Sequence, residues 1–385
     1  MDEKAPLKGL KVLELARVLA GPWAGQLLAD LGADVIKIES PNGDETRNWG
    51  PPFHGKDSSA YFQSTNRGKK SVVADFKNKV DLRMVQQLAK KADVLVENFK
   101  LNGLSKYKLD YNCVRKENPG IIYCSITGFG QNGPYANRPG YDFIIQAMGG
   151  IMDLTGEKDG PPQKPGVAYA DLFTGLYSVV AIQSALLARG ATDIGTHIDM
   201  SLFDTQLGVL ANQGASYLET GVSPKRIGNN HPTIVPYQKF ETSTGPIIIA
   251  CGNDNQFKNL CLAFGWNFHK EKKYKTNKDR VLNRQVLTQL IQDQISLFTK
   301  TETLCKLEDA GVPSGSINSV KEALNHRQTI HRKMVHEIEG SSAIRTPILF
   351  DTFSLKYKYS SPKLGEHTDE IRQKLNIKTF WKSKN

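Results

Sequence analysis

The chain has few cysteines, and their spacing offers neither a metal site nor a disulfide framework. Its 385 residues include five cysteines with no CxxC pair, and the eight histidines lack metal-ligand spacing. We therefore expect no metal. Free thiols are typical of a reducing, cytoplasmic location.

Long apolar runs and a targeting segment are also missing. The start, MDEKAPLKGL, is charged and lacks the apolar core of a signal peptide. The most apolar stretch, 176–188, is interrupted by Ser178, Gln183 and Ser184, whereas a bilayer span requires roughly 18 apolar residues. We therefore expect no membrane partner.

Charge of one sign is nowhere concentrated, although the net charge is +11. The densest basic run, HKEKKYKTNKDR at 269–280, carries two acidic residues. A nucleic-acid partner is therefore not expected. The basic excess suits a phosphate-rich small molecule at least as well.

Strands alternate with helices through the first part of the chain. Apolar runs predict strands at 10–15, 33–38, 71–75, 93–96 and 121–127, with helices at 23–31, after a break at Gly21-Pro22, and at 80–91. This order predicts an α/β fold with a parallel sheet covered on both faces. Ligands of such sheets bind the loops after the strands, here 16–22, 66–70, 97–107 and 127–142.

The character of the chain changes near residue 225. Two long helices are predicted before it, at 171–189 and 200–219, and strand-like alternation returns at 345–358. The C-terminal segment, with a short helix at 366–375, is expected to pack back on the first domain. The large domain would then comprise 1–222 plus 328–385, and 225–325 would form a smaller inserted α+β domain with a strand at 246–250.

The segment GFGQNG, 128–133, matches the GxGxxG pattern of dinucleotide-binding loops and follows a strand. Such a loop opens a long apolar helix, which Pro134 and Pro139 do not permit here. The first strand–helix turn, LARVLAGPWAG, lacks the pattern altogether. An NAD-dependent dehydrogenase is therefore disfavoured.

The segment VAYADLFTGLY places Asp171 immediately before an apolar helix. Aspartate is a favoured N-cap residue, which is a purely structural interpretation. The same position favours an ionised carboxylate, which is the form that attacks an acyl carbon. The residues alone leave both interpretations open.

Two further segments admit a structural and a functional interpretation. ENFKLNGLSKY, 97–107, is either a solvated loop or a contact for a purine and phosphates, through Asn98, Phe99, Lys100 and Lys106. RIGNNHPTIVPY, 226–237, is either a linker turn or a mobile lid, with Gly228, Asn229 and Asn230 at its start.

Taken together, ordered segments over nearly the whole chain resemble the family III coenzyme A (CoA) transferases. The segments are GLKVLELARVLAGPWAGQLLADLGADVIKIE, GDETR, STNRGKKS, ADVLVENF, SITGFGQNGPY, RPGYDF, VAYADLFTGLY, HIDMSLFD and LGEHTDEI. The resemblance implies an interlocked homodimer, in which a Rossmann-like large domain binds CoA and the small domain closes over it. It implies acyl-CoA and carboxylic acid substrates and no tightly bound cofactor.

The resemblance also implies the roles of individual residues. Asp171 is the nucleophile and carries an aspartyl-CoA thioester. The CoA contacts are Arg17, Val18, Leu19, Ala20, Asn98, Phe99, Lys100, Lys106, Arg138 and Tyr141, and the substrate lid is Gly228, Asn229 and Asn230.

The segments KRIGNNHPTIVPYQKF and YKTNKDRVLNR resemble the dicarboxylate branch, whose members use succinyl-CoA and glutarate. Leu19 and the GNNH segment depart from the formyl-CoA:oxalate enzymes, so oxalate is not expected as the acceptor. Arg17 and Arg226 are both candidates to hold a distal carboxylate. The alternative function is a 2-methylacyl-CoA racemase, which Gly140-Tyr141-Asp142 disfavours because the racemase histidine is missing.

Overall fold

A computed structural model describes residues 5–55, 57–357 and 359–376, and it contains the predicted parallel sheet. Six parallel strands lie in the order β3-β2-β1-β4-β5-β6. Their bounds are β1 Lys11–Glu14, β2 Asp34–Glu39, β3 Lys70–Val73, β4 Val94–Glu97, β5 Ile122–Thr127 and β6 Thr196–Ser201. The strand order reverses between β1 and β4, and sheets of this kind bind ligands at such a reversal.

Helices pack on both faces of this sheet, because parallel neighbours must be joined by crossovers. The α-helices of the described residues are α1 Ala20–Asp30, α2 Ala60–Asn66, α3 Lys79–Lys91, α4 Tyr111–Glu117, α5 Asp142–Met148, α6 Ile151–Leu154, α7 Tyr169–Thr192, α8 Leu202–Gly208, α9 Ala211–Thr220, α10 Asp254–Ala263, α11 Asn277–Leu282, α12 Arg284–Ile295, α13 Lys300–Asp309, α14 Val320–Leu324, α15 Arg327–His331 and α16 Thr368–Asn376. One apolar face, with Leu13 and Leu95, packs on α3 and α16. The other, with Val12 and Val96, packs on α1 and α7.

The chain divides into two compact units. The first comprises residues up to 151, 164–221 and from 327 on, and it holds the six-stranded sheet and the hairpin of β10 Val335–Ile338 and β11 Ser341–Ile344. The second comprises 152–163 and 222–326.

The second unit has its own antiparallel sheet, β7 Tyr237–Thr242, β8 Gly245–Ala250 and β9 Ser314–Ser316. Its core is built from Phe240, Ile249, Phe257 and Ile291, so strands and helices share one apolar cluster. The predicted domain boundaries, the insertion of the small domain and the interlocked homodimer stay predictions.

Three predicted elements differ from the structure. Gly21 and Pro22 do not break the chain but lie in the first turn of α1, where proline is tolerated because its missing N–H has no helical acceptor. The predicted helix 200–219 is the end of β6 followed by α8 and α9, because the chain bends at Ala211, which has φ +49°. No strand forms within 345–357, and the hairpin β10–β11 precedes it instead.

Helix α7 is longer than the sequence pattern predicts. By length and composition alone it could cross a bilayer, a test that core helices of globular proteins also pass. Its start packs on α1, and Val179 and Ile182 are buried in the core of the first unit. This helix therefore carries part of the sheet packing as well as Asp171 in its first turn.

Candidate active site

A cavity of about 300 Å³ lies in the first unit, where loops follow β1, β4 and β5. These loops lie beside the reversal of strand order, where ligands are expected. Most of the predicted site residues line it, namely Arg17, Val18, Leu19, Ala20, Asn98, Phe99, Lys100, Arg138, Tyr141 and Asp171. The structure thus brings together residues from three of the four predicted loops and the start of α7.

The remaining predicted residues do not line this cavity. Lys106 lies over the Tyr107 ring, with its Nζ atom 4.8 Å from the ring centre. In the fourth predicted loop, Lys69 is fully buried and pairs with Glu14 at 2.8 Å. The predicted lid residues Gly228, Asn229 and Asn230 belong to the second unit, where the Gly228 N–H donates to the Gly156 carbonyl.

The loops after β1 and β4 are joined by one asparagine. The Arg17 N–H donates to Asn98 Oδ1 at 3.0 Å, and Asn98 Nδ2 donates to the Arg17 carbonyl at 2.7 Å. The Phe99 N–H donates to the buried Glu97 carboxyl at 2.7 Å. The cavity wall is therefore held by side chains that bind the loop backbones on either side of the strand reversal.

Asp171 lies inside the first turn of α7 and is not its N-cap residue. The helix begins at Tyr169, and the N-cap residue Ala168 has no capping side chain. The Asp142 carboxylate supplies that role, since its Oδ1 accepts from the Ala170 N–H at 2.9 Å and the Asp171 N–H at 3.3 Å. The structural interpretation of Asp171 as a cap is therefore wrong, and its own carboxyl group is available to a ligand in the cavity.

Burial raises the pKa of the Asp171 carboxyl to about 7, and the neighbouring Asp142 carboxylate contributes to the increase. Burial also raises the pKa of Asp142. The pKa of Tyr61 is also raised, to about 12, by burial and then by the nearby Asp171 carboxylate. The withdrawal of water around Asp171 therefore opposes the effect of the helix N-terminus, which favours ionisation.

A family model described as CoA-transferase family III matches residues 7–368, nearly the whole chain. The chain belongs to CoA-transferase family III. This confirms the predicted family and the predicted class of enzyme. The cavity with Asp171 is accordingly the candidate active site of a transferase that uses CoA thioesters as substrates.

Similar proteins cover this transferase from end to end. A succinate–glutarate CoA-transferase from Agrobacterium fabrum is 49% identical over 386 residues, covering 97% of this chain and 96% of the relative. The human succinyl-CoA:glutarate CoA-transferase is 40% identical over 382 residues, covering 97% and 87%. The crystal structure of a CAIB/BAIF family protein from Brucella suis is 54% identical, with a TM-score of 0.89 over 97% of this chain and 100% of that one.

Aromatic rings form a surface beside the cavity of the transferase that sequence reasoning missed in part. The Phe76 and Phe99 rings are stacked 6.3 Å apart, and Tyr107 meets Phe76 edge-on at 5.1 Å. Arg138 lies over the Tyr135 ring at 4.4 Å. Phe76 follows β3 whereas Phe99 follows β4, so the sequence around Phe99 does not indicate that the two rings meet.

Asp142 was also missed, although it stands in the quoted segment RPGYDF. Its contacts with the start of α7 join residues 28 and 29 positions apart, a separation that no local motif reveals. Among the described residues, no group of three or more His, Cys, Asp or Glu side chains is arranged to hold a metal ion.

Proposed function

We propose that this transferase moves CoA from succinyl-CoA to a small dicarboxylate such as glutarate, through covalent intermediates on Asp171. The observation that carries the proposal is the Asp171 carboxyl group, which lines a cavity at the strand reversal without serving as a helix cap. The names of the relatives from Agrobacterium fabrum and human supply the proposed donor and acceptor.

The reaction proceeds through four acyl transfers. An Asp171 oxygen attacks the donor acyl carbon and expels the CoA thiolate, which leaves a mixed anhydride. The thiolate attacks the Asp171 carbonyl carbon, expels the donor carboxylate and forms the aspartyl-CoA thioester. The acceptor carboxylate expels the thiolate again, and the thiolate then attacks the acceptor carbonyl, which releases the new acyl-CoA and free Asp171. Water must be excluded throughout, because hydrolysis of either intermediate would end the cycle.

The raised pKa of Asp171 supports this role. A desolvated carboxylate with a pKa of about 7 is a stronger base than a solvated one and is still ionised to a large extent at neutral pH. A nucleophile needs both properties, since only the ionised form attacks.

The proposed CoA contacts are the cavity-lining residues, together with Lys106 on the same loop as Lys100. Their cations suit the phosphates of CoA, and the Phe99 ring, which lines the cavity and stacks on Phe76, is proposed to contact adenine. Arg17 lines the cavity and is a candidate for the distal carboxylate, as is Arg226, which pairs with Asp153 at 2.7 Å. Gly228, Asn229 and Asn230 are proposed as the lid.

A homodimer is part of the proposal, because apolar side chains of the first unit remain exposed. On α7, Leu176 and Val180 are about half exposed and Leu187 is 82% exposed, and on α9 Leu218 is 84% exposed. Apolar patches of this kind are typical of subunit interfaces. Light scattering is expected to give twice the chain mass, and a monomer at micromolar concentration would contradict an interlocked pair.

The five free cysteines are consistent with the proposed cytoplasmic location.

The test of the mechanism is covalent trapping. Protein incubated with succinyl-CoA and then hydroxylamine is expected to carry a hydroxamate on Asp171, detected by peptide mass spectrometry. Asp171→Asn serves as the blank, and Asp204→Asn is the matched control because Asp204 also stands in the first turn of a helix in the same unit. Absence of the label in wild type, with CoA transfer intact, would place the nucleophile elsewhere.

The substrate is tested with a panel of mono- and dicarboxylates of two to six carbons, together with carnitine. We expect transfer to dicarboxylates of four to six carbons. Activity restricted to oxalate or carnitine would reject the assignment. A racemase would instead exchange the α-proton of a 2-methylacyl-CoA with solvent deuterium, which we expect not to occur here.

A further inference from the structure

The turn after β1 contains a strained residue at the wall of the active-site cavity. Val18 lines the cavity and has φ +71°, in the left-handed region of the backbone. A β-branched residue is a genuine outlier there, because its branched side chain crowds the backbone. Such a conformation persists only where the surroundings hold it, and it recurs at functional sites.

Side chains bind the Val18 N–H and the backbone of the two residues before it. The Val18 N–H donates to the two oxygens of Asp44 at 3.2 and 3.3 Å. The Ala16 carbonyl accepts from Lys37 Nζ at 2.7 Å, and Asn98 holds both the N–H and the carbonyl of Arg17. The conformation of the turn is therefore specified by groups that are distant in the chain.

Asp44 itself is held rigidly. Its Oδ2 lies 3.0 Å from Lys37 Nζ, and its Oδ1 accepts from the Thr46 N–H at 3.0 Å and the Thr46 hydroxyl at 2.8 Å. The Asp44 and Lys37 side chains are each 1% exposed, and neither residue lines the cavity. Asp44 therefore contacts the cavity wall through the backbone that it binds.

The start of α1, which directly follows the turn, contacts the helix that carries Asp171. Helix α1 starts at Ala20, directly after the turn, and packs on the first turns of α7. A Cβ atom added at Gly175 would lie 2.7 Å from the Ala20 carbonyl oxygen and 3.0 Å from the Trp23 ring. Gly175 is one helical turn beyond Asp171, so a displacement of the start of α1 is passed to the nucleophile.

We propose that Asp44 is a positioning residue for CoA transfer, because its carboxylate holds Val18 in the strained conformation of the turn. This turn forms part of the cavity wall and fixes where α1 begins and packs on α7. The catalytic part of this inference rests on the proposed function. The conformational part does not, since it concerns the Val18 amide alone.

The test is a double-mutant cycle of Asp44→Ala and Val18→Gly. Asp44→Ala is expected to lower kcat about 10- to 100-fold with a smaller change in the KM for the acyl-CoA, since a displaced reactive group costs this much. Glycine adopts positive φ without a steric penalty, so Val18→Gly in the Asp44→Ala background is expected to recover at least half of the loss on a logarithmic scale. A merely structural role would give no such recovery.

Asp30→Ala is the matched control, because Asp30 is also a buried carboxylate in the first unit and pairs with Arg67 at 2.9 Å away from the cavity. It should lower the melting temperature while kcat is unchanged. If Asp44→Ala does not fold, Asp44→Asn replaces it, since the amide keeps the volume. Its oxygen can still accept from the Val18 N–H, so a smaller loss of kcat than in Asp44→Ala is expected, and Val18→Gly should again recover at least half of that loss on a logarithmic scale.

Two results would overturn the proposal. One is an Asp44 variant with a lower melting temperature and unchanged kcat, and the other is no recovery by Val18→Gly. If the wild-type protein transfers no CoA at all, the proposed function fails. Hydrogen exchange of the peptide that contains Val18 then still tests whether Asp44 holds the Val18 amide. Exchange faster in Asp44→Ala than in Asp30→Ala supports it, and equal exchange refutes it.

Discussion

Two groups of buried charges in the first unit differ in how they are balanced. The β1–β2 ion cluster holds three carboxylates and three cations in mutual contact, namely Glu14, Glu39, Asp44, Lys37, Arg47 and Lys69. Burial by itself would raise the pKa of Glu39, but the Arg47 hydrogen bonds and Lys37 lower it. Lys37 likewise lowers the pKa of Asp44. The charges of the three carboxylates and the three cations therefore offset one another within the cluster.

The acid pair Asp142 and Asp171 has no such balance. Among the described residues, neither carboxylate forms a salt bridge, and Asp142 is bound only by amides, those of Gln146, Ala170 and Asp171. Both pKa values are raised. Matched buried charges therefore support the fold, whereas the two unmatched acids are buried at some cost in stability.

Removing the unmatched acid has the largest expected effect. Asp171→Asn keeps the shape of the side chain but cannot carry an acyl group. We expect kcat for CoA transfer to fall by about 10⁴-fold or more, measured by chromatography of the CoA esters. The control Asp204→Asn should keep wild-type activity, and a parallel loss there would indicate damage to the fold instead.

Breaking the balance of the ion cluster has the next largest effect. Glu14→Gln leaves Lys37 and Lys69 buried with one partner charge removed, which is expected to cost about 3–5 kcal/mol of unfolding free energy. Urea unfolding measures the change. The exposed pair Lys90–Glu117 is the control, and Glu117→Gln should leave the unfolding midpoint unchanged. Equal midpoints for both variants would remove the distinction drawn between the two groups.

The unmatched acid is expected to destabilise the folded chain at alkaline pH. The pKa of Asp171 is about 7 when folded and 3.8 as the model value, so the folded state binds more protons between these values and stability falls as pH rises from about 4 to 7. Above that window the unfolding free energy of Asp171→Asn should exceed that of wild type by about 1–3 kcal/mol. Urea titrations at pH 4 and pH 8 check this, and a variant less stable than wild type at pH 8 contradicts it.

The smallest expected effect is a shift of the pH profile. Asp142→Asn removes the charge that raises the pKa of Asp171, while the amide oxygen still accepts from the Ala170 N–H. The rise of kcat/KM with pH is therefore expected at lower pH than in wild type. Burial remains the main cause of the raised pKa, so the shift is partial. A shift to higher pH would show that Asp142 is not the ionised neighbour.

The sheet was predictable where its strands are buried on both faces. β4 and β5 read as nearly continuous apolar runs, as central parallel strands do, and β1 and β2 are apolar apart from Glu14, Lys37 and Glu39 of the ion cluster and the strand ends. β6, THIDMS, was missed because it lies at the edge of the sheet and is mostly exposed or half-buried, so its apolar residues alternate with polar ones.

The candidate site was predictable only in part. The position of the loops at strand ends follows from the parallel sheet, and three of those loops line the cavity. The loop 66–70 has a composition similar to that of the loops lining the cavity, yet its Lys69 pairs with Glu14 in the ion cluster. Composition alone does not distinguish a basic residue that pairs within the fold from one that faces a ligand.

Three features can be read from the residues alone, namely the strand–helix alternation, the resemblance to the family and the carboxylate near the start of an apolar helix, because these are properties of neighbouring residues or of their order. Three others exist only in the folded chain: the raised pKa of Asp171, the strained conformation of Val18 and the lining of the cavity. These depend on burial and on contacts between residues such as Asp44 and Val18, which are 26 positions apart and meet only when the sheet has formed.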